Sequence, residues 1–176
     1  MPNWCTNRLT IAGPDDKIQE LLDKARGPDQ HGNEEEFTFH SFVPMPDDVF
    51  RGNLSMEDEK KHPGEKNWLG FCRENWGTKW DCTRVAIEDG EEGGKVIHFD
   101  TAWSPPTPIL DKISQLFPEL SIVHEFADEG WGFVGENLYE NGGLASESLC
   151  TDHESEHMRE VMMDLCDWEP EEDEEE

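Results

Sequence analysis

The sequence is short of positive charge. Among 176 residues, Lys and Arg number 14 against 42 Asp and Glu, giving a formal net charge of −28. Phosphates repel a surface of that sign, which argues against direct nucleic-acid binding. Hydrophobic residues make up only 34%, and no apolar run approaches the roughly 18 residues of a membrane span. No basic stretch leads into an apolar one at the start, so a secretory signal is not expected. CxxC spacing is missing too: Cys5, Cys72, Cys82, Cys150 and Cys166 are odd in number and irregularly placed. Reduced thiols in a cytoplasmic protein are the simplest expectation, without a structural disulfide. There is no internal repeat of fixed period. Aromatics, by contrast, are plentiful. Seven Trp and nine Phe exclude a wholly disordered chain, since disordered segments are poor in them.

Periodicity organises the first 140 residues. Asn7, Leu9 and Ile11 alternate with Arg8 and Thr10 as a strand that Gly13-Pro14 stops. A helix follows on Ile18, Leu21, Leu22 and Ala25. Phe37 to Phe42 alternates like a second strand, ended by Val43-Pro44-Met45-Pro46. Residues 47–66 are charged and weakly patterned, an insertion with room for a short helix. Asn67 to Trp76 reads as an amphipathic helix closed by Gly77. Thr83 to Glu88 and Lys95 to Trp103 flank a Gly-rich hairpin signal. Ser104-Pro105-Pro106 leads into a helix on Ile109, Leu110, Ile113, Leu116 and Phe117. Ser121 to Ala127 pairs with Trp131 to Tyr139, and residues 154–167 predict a last helix bearing Met158, Val161, Met162 and Leu165. The order β-α-β, insertion, β-β-α-β-β, with one strand of each hairpin counted as an extension, is the split βαβ arrangement: an α+β, ferredoxin-like sandwich with an antiparallel sheet. The expected organisation is a ferredoxin-like domain over 1–140, a helical C-terminal extension over 141–168, and a disordered acidic tail over 169–176. Residues 147–176 hold fourteen acids against one base, Arg159, yet residues 1–146 alone still carry −15.

Three stretches together resemble a known family. They are Met1-Pro-Asn-Trp-Cys-Thr-Asn7 leading into Leu9, Ile11 and Gly13; Glu74-Asn-Trp-Gly-Thr-Lys-Trp80; and Phe99-Asp-Thr-Ala-Trp-Ser-Pro-Pro106, followed by Pro118 and the turn from Gly130 to Gly135. In this order they resemble the YubB/Api92-like family of phage and plasmid proteins with a ferredoxin-like domain. The likeness runs to about Glu136 and departs at the 47–66 insertion and the last forty residues. It implies a fold and a mobile-element setting, and supplies no catalytic residues and no cofactor.

Several residue sets carry side chains capable of chemistry. Trp4, Trp76, Trp80 and Trp103 invite a base-stacking reading, with Arg8, Lys79 and Arg84 as the nearby cations. Base-stacking platforms come with a basic groove, so a core role for the tryptophans is the stronger expectation, Trp103 included. Trp76-Gly-Thr-Lys-Trp80 lacks the glycines and the Lys-Ser/Thr end of a phosphate loop and reads as a turn. Cys150, His153, His157 and Cys166 have ligand types that zinc accepts, but their order matches no known finger, and no metal is favoured. His98 and His124 fall in strands, expected to face solvent or satisfy a local bond. No nucleophile motif such as GxSxG occurs, so no enzyme and no catalytic residue is expected.

Acidity is the strongest physical signal, and three readings of the function stand beside it. The first is a non-enzymatic mobile-element protein that binds and blocks a basic, nucleic-acid-binding or defence protein of the host cytoplasm, mimicking the charge of DNA; Glu88, Asp89, Glu91, Glu92, Asp128 and Glu129 are its candidate contacts. The second is a nucleic-acid-binding module built on Arg8, Trp76, Lys79, Trp80 and Arg84. The third is a structural role in which the acidity serves solubility. Neither a membrane partner nor an oligomeric state is indicated.

Overall fold

The computed structural model describes residues 3–166. Strand β1 (Trp4–Ala12) buries Cys5, Asn7, Leu9 and Ile11 on one face, as period two requires. Gly13, at φ +147°, turns the chain into α1 (Asp15–Ala25). That helix buries Ile18, Leu21 and Ala25, with Asp15 and Asp16 at its N-terminal turn and Lys24 near its end, as the helix dipole favours. A two-residue pair, β2 (Gly27–Pro28) with β3 (Glu34–Glu35), opens the long connection that follows. Within it lie α2 (Met56–Lys61), started by a capping box between Ser55 and Asp58, and α3 (Trp68–Asn75), whose Asn67 cap accepts the Gly70 N–H at 2.9 Å.

Strands β4 (Thr83–Asp89) and β5 (Lys95–Ala102) form the expected hairpin. Gly94 cannot carry a side chain there, because a Cβ would sit 2.6 Å from the Ile11 carbonyl oxygen. Helix α4 (Thr107–Leu116) buries Ile109, Leu110 and Ile113 and leads to β6 (Ser121–Asp128), β7 (Val134–Glu140), β8 (Gly143–Cys150) and α5 (Glu156–Cys166). The sheet order is β4-β5-β1-β6-β7-β8, every neighbour antiparallel. Its first four strands, with α1 and α4, are the split βαβ unit.

Two expectations need correction. Both strands of the β4–β5 hairpin belong to that unit, because Phe37 to Phe42 is not a strand: Phe39–Ser41 forms a single 3-10 turn. The buried Asp81 carboxylate fixes this turn by accepting the N–H groups of Phe39 (2.7 Å) and His40 (3.2 Å) and the Thr38 hydroxyl. Nor does the sheet end near residue 140, since β8 pairs along β7 to Cys150. The expected 169–176 tail lies outside the described residues.

The main core fills the space between the sheet and α1, α3 and α4. Leu9, Ile11, Ile97, Phe99 and Ile122 meet Leu21, Ile109, Leu110 and Ile113, with Phe37, Phe39 and Trp76 between them. Each such side chain contributes about 1.5–3 kcal/mol by leaving water. A smaller core lies on the other face, where Met158 and Met162 of α5 pack on Ala127 and Val134. All five cysteines are free thiols.

Candidate functional site

Strand parity decides what the second face presents. Thr6, Arg8 and Thr10 of β1 align there with Val96, His98 and Asp100 of β5 and with Glu125 of β6. Helix α5 covers the β6–β7 side. The rest is an open concavity of about 1060 Å³ walled by the β4–β5 hairpin, and Glu88, Asp89, Glu91, Glu92 and Glu125 line it. Its two cations are both neutralised. Arg8 holds Glu125 bidentately, Nε to Oε2 at 2.7 Å and Nη2 to Oε1 at 2.8 Å, and reaches Asp164 of α5 at 2.6 Å. These carboxylates raise the Arg8 pKa further, so it stays charged. Lys95 pairs with Asp89 and holds that carboxyl below its usual range. The face is therefore negative.

Four of the six expected acidic contacts, Glu88, Asp89, Glu91 and Glu92, gather on this wall. Asp128 does not join them: it is buried, and its Oδ2 accepts the Gly132 N–H at 2.9 Å to close the β6–β7 turn. Glu129 is exposed but caps β1, accepting the Trp4 N–H at 2.8 Å.

The five residues of the nucleic-acid reading separate. Trp76 is fully buried, its indole N–H donating to the Val43 carbonyl at 3.0 Å among Phe39, His40 and Phe71. Arg8 is clasped on the concave face. Lys79, Trp80 and Arg84 do meet, and they meet Trp4 and Trp103. The Trp4 and Trp80 rings lie 6.3 Å apart. Lys79 Nζ stands 4.6 Å from the Trp80 ring centre and 4.4 Å from that of Trp103. Arg84 lies over Trp4 at 4.9 Å, and Arg73, which sequence reasoning passed over, lies over Trp103 at 5.6 Å. Trp103 is 40% exposed, not a core residue. Gly77 (φ +81°) makes the turn that delivers Lys79 and Trp80, packed so tightly on Pro108 that a Cβ would approach Pro108 Cδ to 2.4 Å.

The Cys150, His153, His157 and Cys166 set is spread over the end of β8, the following turn and α5, with both histidines exposed. Among the described residues no group of three or more His, Cys, Asp or Glu is placed to hold a metal ion. His98 is half-buried on the concave face, whereas His124 is fully buried on the other. Its Nε2 lies 2.9 Å from Asn7 Oδ1. The Asn7 amide donates to the Cys5 carbonyl (2.7 Å) and to Thr101 Oγ1 (3.0 Å), leaving Oδ1 as the acceptor and so placing the histidine proton on Nε2. Burial lowers the His124 pKa to about 3. The expectation of a solvent-facing or locally bonded histidine is thus replaced by a contact between neighbouring strands distant in sequence.

The architecture and the motifs now have their counterparts among known proteins. The family described as "Ferredoxin-like domain in Api92-like protein" matches residues 75–175. The chain belongs to the Api92-like family. A crystal structure of the protein Api92 from Yersinia pseudotuberculosis aligns with a TM-score of 0.58 at 10% identity, over 86% of this chain and 99% of that one, a likeness of fold. No curated protein matches the chain. The family match covers β4 through α5, including the hairpin wall, the Lys79, Trp80, Arg84 and Trp103 part of the aromatic group, and the smaller core. No helix among the described residues is long and apolar enough to cross a membrane.

Proposed function

We propose that this is a non-enzymatic protein of phage or plasmid type that binds a basic host protein through its concave sheet face and thereby blocks a surface meant for nucleic acid. The observation that carries the reading is the concavity itself. Five carboxylates line it, and each of its two cations is already held by a carboxylate. A partner rich in Lys and Arg would find an open, shaped and negative surface rather than scattered charge. Net charge of −28 would steer such a partner in at high rate, over a range of about 8 Å at physiological ionic strength.

The test is capture from host lysate followed by competition. A basic nucleic-acid-binding protein should be retained, lost steeply with rising salt, and displaced by DNA. Reversing Glu88, Glu91 and Glu92 to Lys should abolish capture while the fold persists. Recovery of only neutral or acidic proteins, or capture unaffected by the reversal, overturns the reading.

One observation favours a second reading, a nucleic-acid-binding module. Three surface tryptophans carry Arg73, Lys79 and Arg84 over their rings, the residue types on which single-stranded bases stack. A low-salt gel shift with single-stranded DNA and RNA tests it, and no shift at high protein concentration disposes of it.

A further inference from the structure

The insertion between α1 and α3 builds a second cavity, away from the concave sheet face. Its volume is about 320 Å³, within the range of small-molecule sites, about 300–1,000 Å³. Met45, Leu54, Trp68 and Trp80 supply apolar walls. No Asp or Glu lines it, although acids outnumber bases three to one in the chain.

Its one obligate charge is Arg51. Nη1 donates to the Gln30 carbonyl at 3.3 Å, and Nη2 donates to the carbonyls of Met45 at 3.2 Å and Pro46 at 3.3 Å. These are neutral acceptors. Among the described residues no carboxylate pairs with Arg51, unlike Arg8, Arg84 or Lys95. A guanidinium has five N–H groups, so Nε–H and one N–H of Nη1 have no partner among those residues, and no carboxylate among them neutralises the charge of this exposed side chain. The two indoles are fixed as well. Trp68 donates its N–H to the Gly52 carbonyl at 3.1 Å, and Lys79 sits over the Trp80 ring. A held cation beside held aromatic walls is an arrangement that orients a flat anion: the ring takes the indole surface, and the acid takes the guanidinium charge through one of its free N–H groups.

We propose that this cavity binds a small ligand made of a planar aromatic ring bearing one anionic group, its ring against Trp68 and Trp80 and its anion on Arg51. A second cation is disfavoured there by Arg51, and an uncharged ring leaves the guanidinium unanswered. An aryl carboxylate and a nucleoside monophosphate share the required chemistry. The proposal stands independently of the sheet-face reading, since no residue lines both cavities.

The experiment titrates the full chain with naphthoate and with adenosine monophosphate, each beside its uncharged counterpart, naphthalenemethanol or adenosine. Calorimetry gives affinity, and the indole N–H resonances of Trp68 and Trp80 give location. At least one anionic probe should bind saturably, shift both indoles, and exceed its uncharged counterpart by about tenfold or more. Binding by naphthoate alone identifies an aryl carboxylate site; binding by the monophosphate identifies a nucleotide site. Arg51→Gln should weaken the anionic probe by about tenfold or more. Leu54→Trp, which puts a bulky ring into the cavity and leaves Arg51 in place, should weaken binding by about tenfold or more and is the deciding variant if Arg51→Gln disturbs the fold. Failure of both anionic probes to bind at millimolar concentration overturns the proposal. So does equal binding of charged and uncharged probes, or undiminished binding by folded Leu54→Trp.

Discussion

Acidification should destabilise this protein through His124, against the trend expected of so acidic a chain. The ring is fully buried and neutral, with its proton on Nε2 facing Asn7 Oδ1, and its pKa falls from 6.5 to about 3 because burial penalises the charged form. A group whose folded pKa lies below its unfolded value binds its proton more readily when the chain unfolds. Stability is therefore intact above the unfolded value and declines as pH falls from 6.5 toward 3. Each pH unit in that window removes about 1.4 kcal/mol, so at about pH 4.5 the loss is about 2–3 kcal/mol. Protonating surface carboxylates relieves self-repulsion and acts in the opposite direction, so the parent alone does not isolate the effect. The informative comparison is with His124→Gln, whose amide can still donate to Asn7 and does not titrate. Urea unfolding of both proteins between about pH 7.5 and pH 4.5 should show the parent's advantage shrinking by about 2–3 kcal/mol. A stability difference that does not change with pH, or a folded-state His124 resonance that titrates near its ordinary value, would refute the reasoning.

Three further outcomes follow from the packing. Trp76→Ala should cost about 3–5 kcal/mol and also orphan the Val43 carbonyl, whereas Trp103→Ala should cost only about 1–2 kcal/mol in lost ring–cation contacts; denaturation midpoints separate the two. Gly77→Ala should destabilise by more than about 2 kcal/mol, because a positive φ and the Pro108 contact both oppose a Cβ, and a thermal melt reads it. Burial pushes the Cys5 and Cys82 thiols up and that of Cys72 to about 12. A thiol reagent applied to the native protein should therefore leave these three unmodified until denaturant is added.

Sequence periodicity located most of the elements because they bury one face. Leu9 and Ile11, Ile18 and Leu21, Ile97 and Phe99, and Ile109 and Ile113 each repeat at the spacing of the element they occupy. It failed where burial is governed by something else. Phe37, Phe39 and Phe42 are buried together, so their alternation marks no sheet face, and a carboxylate more than forty residues away selects the turn. Strand β8 buries almost nothing, so it carries no hydrophobic pattern. Its signal was the Asn141-Gly142 pair, both at positive φ, the two-residue hairpin turn that joins β7 to β8. The hairpin acids were legible as a cluster. That Trp103 lies outside, and that Arg51 has no carboxylate partner among the described residues, depend on how distant segments pack, which no local pattern encodes; Asp128 turns inward because it closes its own turn on Gly132.

The central strand has a consequence for how the chain is made. Strand β1 precedes both of its partners in the chain, and Asn7 finds its two neighbours at Phe99 and Phe126. Both edges of β1 must wait on the ribosome while most of the domain emerges, and so long a closure makes sheet formation slow. Through that interval the nascent chain carries an apolar strand with two unsatisfied edges. The acids that emerge behind it, from Asp15 and Asp16 onward, set like charge between neighbouring nascent chains and discourage their strands from pairing with one another before the proper partners arrive.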